Sequence, residues 1–230
     1  ADRVFTIFSA RTYATINTRP VIRYSPAGLF EQIEATPTSL KMSTTALPLV
    51  LAGPILRRLT PQRLTLWLAL REPLRARLTL THDGESRPPY RLEPGTAACR
   101  LLTAGSRLHY LLIDLPLDEP LPVDRWISYD LALQPLNGPD QPWLGWSDWA
   151  PDLCYPGRSA PGFKLPARGG ALLHGSCRKP HHPGDDGLAQ ADRLLARCLT
   201  AGPETTEPAL DEGLSAWPSL LLLSGDQIYA

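Results

Sequence analysis

Three side chains near the C-terminal end of the sequence have types and spacing suited to metal chemistry. "ALLHGSC" is a short apolar run that ends in small residues and Cys177. "SLLLLSGDQIYA" is a second apolar run, followed by Gly225, Asp226 and, three positions on, Tyr229. Thiolate, carboxylate and phenolate are all anionic donors. Held at one point, they suit a highly charged cation such as ferric iron. Each residue alone is ordinary. A cysteine after a strand is commonly a small packed hydrophobe, and an Asp after Gly is commonly a turn former or helix cap. Histidine supplies a competing set. "HGSCRKPHH" offers His174, Cys177, His181 and His182 for zinc. However, His174 falls inside the expected strand, where core packing is the simpler role, and His181 and His182 fall in an expected exposed loop. A Cys177 nucleophile with a His base is a third option, but no Asp or Asn stands out to orient the base.

The elements around these residues determine whether they can meet. Between the two apolar runs, "GLAQADRLLARCL" places Leu188, Ala191, Leu195 and Cys198 at helical spacing, with Leu194 and Leu199 widening the stripe. Asp185 or Asp186 can cap its start, and Gly202-Pro203 follows its end. The second run is continuous and bounded by Pro218 and Gly225, as expected for a strand buried on both faces. Strand, helix, strand predicts a βαβ unit with parallel strands and a right-handed crossover. Parallel strands put their carboxyl ends on one edge, where such sheets bind ligands. Cys177 leaves one strand there and Asp226 the other.

These stretches meet a family at this point. "LLHGSCRKPHHPGDDGL" and "LLLLSGDQIYA" resemble the PhoD-like alkaline phosphatases, a branch of the calcineurin-like metallophosphoesterases. So does "LAGPILRRLTPQRLTLWLAL", which looks like the opening of that family's N-terminal β-domain. The resemblance covers roughly residues 48–230. It implies Cys177 as thiolate ligand to Fe3+, Asp226 as carboxylate bridging iron to Ca2+, and Tyr229 as phenolate ligand to iron; other divalent metals are compatible. It implies hydrolysis of phosphate esters, mono- or diester, with Arg178 (or Lys179) contacting the phosphate. It also implies an αββα four-layer catalytic domain, of which residues 171–230 would supply only the first βαβ. The family's later Asn, Asp and His ligands have no counterpart here. The expectation is therefore an N-terminal fragment, inactive by itself.

The rest of the chain has a different grammar. From about residue 48 to 135 apolar residues recur every second position, as in "RLTLWLAL" with Leu64, Leu66, Leu68 and Leu70, and in "RARLTLT" with Ala76, Leu78 and Leu80. Ile127, Tyr129, Leu131 and Leu133 share a face in the same way. Short strands broken by turns such as "HDGESRPP" predict an antiparallel β-sandwich of immunoglobulin or fibronectin kind over 42–135. Residues 136–170 read as a Pro/Gly-rich connector. Trp143, Trp146 and Trp149 fall at every third position there, suited to packing between two domains or to stacking a ligand. Residues 1–41 show no sustained period. They read as an extension ahead of a start at Met42, the single methionine, or as strands, since "RVFTIF" and "RPVIRY" have β composition.

Bulk composition narrows the classes. The 230 residues carry 23 basic and 23 acidic side chains, hence no basic signature for nucleic acid or an anionic membrane. No apolar run is long enough for a membrane-spanning helix. No signal peptide or twin-Arg motif is visible, which points to a cytoplasmic protein. Four cysteines without a CxxC pair read as reduced thiols. The sequence leaves the natural substrate and the oligomeric state open. The alternative to a phosphoesterase is a non-catalytic β-sandwich binding or interaction module with a degenerate α/β tail.

Overall fold

A computed structural model describes residues 7–8, 47–137, 141–169, 171–177, 186–200 and 217–225. Two antiparallel sheets account for most of them. One sheet has the order β1(Ile7–Phe8), β2(Val50–Thr60), β3(Arg63–Leu70), β8(Leu108–Pro116), β7(Cys99–Gly105). The other runs β10(Gly162–Lys164), β9(Trp126–Pro135), β4(Leu74–His82), with the short strands β5(Glu85–Ser86) and β6(Tyr90–Leu92) both on β4.

The period-two pattern sets which side chains face inward. Leu64, Leu66, Leu68 and Leu70 of β3 are buried, as are Leu111, Ile113 and Leu115 of β8. Ala76, Leu78 and Leu80 of β4 and Ile127, Tyr129, Leu131 and Leu133 of β9 line the opposite sheet and join the same core. Burying a Leu of this kind removes its whole side chain from water, about 1.5–3 kcal/mol each against the cost of ordering it. The β-sandwich is thus written directly into the alternation.

Ile7 and Phe8 pair with Leu56 and Ile55, so the β composition of "RVFTIF" does form a strand at those two positions. The rest of 1–46 lies outside the described residues.

The Trp-rich segment completes the sandwich rather than spanning a gap. Leu144 exchanges both backbone hydrogen bonds with Leu133, at 2.8 and 2.9 Å, and β10 pairs with Trp126–Ser128. The free edge of β9 therefore takes up the connector. Trp149, at the end of the short helix α1(Trp146–Trp149), donates from Nε1 to the Leu131 carbonyl at 3.0 Å, and the Arg77 guanidinium lies 4.3 Å from the centre of the Trp143 ring. A different pair, Trp126 and Trp217, joins the sandwich to the C-terminal part of the chain. Their rings meet edge to face at 5.8 Å.

After residue 170 the chain forms β11(Leu172–Gly175), α2(Gly187–Thr200) and β12(Leu220–Leu223). The two strands are parallel, with Leu172 opposite Leu220 and Gly175 opposite Leu223. Asp186 caps the helix, its Oδ1 accepting from the Leu188 amide at 3.0 Å. Leu188 and Leu195 are buried, and Leu195 joins the sandwich core together with Trp217.

Two expectations need correction. β12 is not buried on both faces: Leu222 is 47% exposed and its neighbours are half-buried. His174 is not packed in a core either, but exposed. Both have one cause. Among the described residues the parallel sheet has only two strands, and Leu172, His174 and Leu222 lie on a face that nothing covers.

Candidate metal centre

The carboxyl ends of β11 and β12 converge. Parallel pairing carries one step beyond the strands, where the Ser224 amide donates to the Gly175 carbonyl at 2.9 Å. The next residues on the two strands, Ser176-Cys177 and Gly225, then touch. A β-carbon built on Gly225 would lie 2.5 Å from Ser176 Oγ, 3.5 Å from Cys177 Sγ and 3.8 Å from the Cys177 amide. Gly225 also has φ +84, in the left-handed region that favours glycine, and an added β-carbon would in addition have to displace the Ser176 hydroxyl.

Cys177 is exposed and itself has φ +54, which is uncommon for a residue with a β-carbon. Its Sγ is 3.2 Å from Ser176 Oγ. The turn therefore presents the sulfur at the surface, beside Gly225, in place of folding it into the core. The other thiols have different surroundings. Burial, with Glu93 adding to it, pushes the Cys99 thiol up to about 11, so it stays protonated and acts as a core hydrophobe. Burial also raises Cys198. Cys154 donates to the Arg158 carbonyl at 3.0 Å. None of the four forms a disulfide. Cys177 is thus the thiol whose position suits it to ligate.

Arg178, Asp226 and Tyr229 lie outside the described residues, as do His181 and His182. Among the described residues no three His, Cys, Asp or Glu side chains converge. His174 Nε2 is 2.6 Å from Ser224 Oγ, on the open face of the two-stranded sheet. Two residues outside the predicted ligand set prove important. Ser176 and Gly225 form the contact that joins the two strand ends. The signal for Gly225 was present, as a glycine closing a strand ahead of a carboxylate; the one for Ser176 was not.

The fold is thus an antiparallel β-sandwich joined to a βαβ unit. No protein-family profile and no curated protein sequence matches the chain. Solved structures of Sulfolobus acidocaldarius proteins are similar to part of it. The archaellum periplasmic stator protein complex FlaF and FlaG is 14% identical over 34% of this chain and 73% of that chain, with a TM-score of 0.24. The archaellum periplasmic stator protein FlaG is 13% identical over 35% of this chain and 82% of that chain, with a TM-score of 0.22. Likeness at this level carries no argument about function.

Proposed function

We propose that Cys177, Asp226 and Tyr229 are ligands of a metallophosphoesterase centre of the PhoD-like kind, and that the sandwich is the domain on which this centre is mounted. The observation that carries the reading is the contact of Gly225 with Ser176 and Cys177. Asp226 is bonded to Gly225, so its α-carbon lies about 3.8 Å from that of Gly225. A carboxylate one residue beyond Gly225 would be able to share an ion with the Cys177 sulfur. A thiolate, a carboxylate and a phenolate form a trianionic set, and Fe3+ is the cation whose charge it best balances; Ca2+ takes oxygen donors, so the thiolate would not serve it. The close approach at Gly225 also fits a metal site, since a side chain there would fill the space between the two ligand-bearing turns.

A bound metal pair would neutralise phosphoryl charge and lower the pKa of a water for attack on phosphorus. The chain's own residues would hold the ligands on a rigid parallel strand pair and keep the Gly225 side of the site open. Arg178, next to Cys177, would place a guanidinium on a phosphate ester.

The test reads metal rather than turnover. Ferric ion added to the reduced chain should give a visible charge-transfer absorption. Tyr229→Phe should remove the phenolate band, and Cys177→Ala should lower bound iron at least tenfold. His174→Ala should leave iron content unchanged, because His174 is engaged with Ser224. Iron uptake that is indifferent to Cys177 and Tyr229, or zinc uptake that depends on His174, would refute the assignment.

A further inference from the structure

Among the described residues the first sheet of the sandwich ends at β7, and the backbone groups of that edge are specific in what they offer. The Asp114 amide donates to the Ala98 carbonyl. In an antiparallel ladder hydrogen-bonded pairs alternate, so Arg100 with Leu112 and Leu102 with Tyr110 are the bonded pairs. The N–H and C=O groups of Cys99, Leu101 and Thr103 therefore point away from β8. Those of Cys99 are already used, its amide donating to Thr96 and its carbonyl accepting from Gly95. Leu101 and Thr103 have no such backbone partner among the described residues.

This open stretch is short and centred. The Gly95–Cys99 turn closes it on one side. On the other, the ladder register shifts between Thr103 and Gly105. Its midpoint is Leu102, which is 63% exposed, more than any other large hydrophobic residue among those described. Leu102 also helps to line a shallow, largely apolar groove of roughly 350 Å³ with Trp67, Arg100, Leu101, Tyr110 and Leu112. Trp67 and Tyr110 stack at 5.6 Å beside it.

We infer that this edge pairs with a second copy of the chain, β7 against β7, antiparallel about a two-fold axis at Leu102. Leu101 of each copy then faces Thr103 of the other. The two pairs make four backbone hydrogen bonds, using the groups that the fold leaves pointing outward. Leu102 meets Leu102 of the second copy at a non-hydrogen-bonded position, where cross-strand side chains come closest. Charge favours this arrangement over a parallel one. Antiparallel pairing sets Arg100 opposite Ala104. The two guanidiniums are then four residues apart along the strand, about 13 Å at ~3.3 Å per residue, beyond the ~8 Å screening length at physiological salt. Parallel pairing in register would stack them. A five-residue strand pair is small for an interface, so the dimer forms and dissociates with concentration.

Sedimentation velocity of the purified chain over a concentration series tests this. The chain should pass from monomer to dimer as concentration rises. Leu102→Lys should remain monomeric over the same range, because two ammonium groups would meet on the axis. So should Leu102→Glu, and an equimolar mixture of the two variants should recover the dimer. A chain that stays monomeric throughout, a Leu102→Lys variant that dimerises as before, or a mixture that fails to recover would overturn the proposal. Leu222→Lys, on the open face of the parallel strands, should leave the dimer intact. Loss of association in that variant alone would put the interface there and likewise overturn it.

Discussion

Gly225 stands against Ser176 so closely that a β-carbon at 225 would be 2.5 Å from the serine oxygen. That single approach joins the ends of two strands separated by nearly fifty residues of sequence. It fixes where Cys177 lies relative to the start of the Gly-Asp-x-x-Tyr segment.

Gly225→Ala should therefore loosen this end of the strand pair. The substitution faces a φ of +84 and a steric clash with Ser176 Oγ. Strain of this kind costs on the order of 1–3 kcal/mol, locally rather than across the sandwich. Hydrogen exchange reads it at the Ser224 amide, which bonds the Gly175 carbonyl and should lose about 5–150-fold of its protection. Adding Ser176→Gly should recover part of the loss, since it removes the clash and leaves the backbone strain. Unchanged Ser224 protection would count against the contact.

The joint between the sandwich and the βαβ unit gives a second expectation. Trp217 is buried and its ring meets Trp126 edge to face at 5.8 Å. Such pairs contribute about 0.5–1.5 kcal/mol beyond the area they bury. In a double-mutant cycle of Trp126→Leu and Trp217→Leu, urea unfolding should show coupling in that range. Additive losses, to within roughly 0.3 kcal/mol, would mean that the rings are merely adjacent.

The sequence was most readable where one face of an element meets the core. Leu64, Leu66, Leu68 and Leu70 alternate because one face of β3 packs on the sandwich core, and the spacing of Leu188 and Leu195 predicts a helix because α2 has one dry stripe. The parallel pairing of β11 with β12 also followed from the strand-helix-strand order. Pattern was less informative where burial depends on what lies beyond an element. "LLLL" reads the same whether one face of β12 or both are covered, so the exposure of Leu222 and His174 was not visible in it. The tryptophans at 143, 146 and 149 showed that the connector packs, but not that it packs along β9, because their partners come from strand residues 16 or more positions away. At the candidate centre, the convergence of the strand ends was legible. The left-handed turn at Cys177 was not, since cysteine has no preference for that conformation.

The outer face of the first sheet supplies a pH-dependent expectation. Asp114 accepts from Arg63 Nε at 2.8 Å, from the Arg63 terminal nitrogen at 2.6 Å and from Thr65 Oγ1 at 2.9 Å. The Arg63 hydrogen bonds hold its carboxyl below the usual carboxylate range. Partial burial works against them, and Thr65 and the charges of Arg63 and Arg100 reinforce them. A carboxyl whose folded pKa is depressed binds a proton more readily in the unfolded chain. Its stabilisation is thus complete above the unfolded value, near ~3.9, and disappears as pH falls through the lower folded value. Asp114→Asn should therefore lower Tm by about 1–3 °C at pH 7, the modest effect of a solvent-screened ion pair in a chain of this size. The difference from the unmodified chain should persist at pH 5, narrow below ~4, and close at the acid end. Melting curves across that series check it. A Tm gap that stayed constant from neutral to strongly acidic pH would show that the Arg63–Asp114 pair contributes through shape alone.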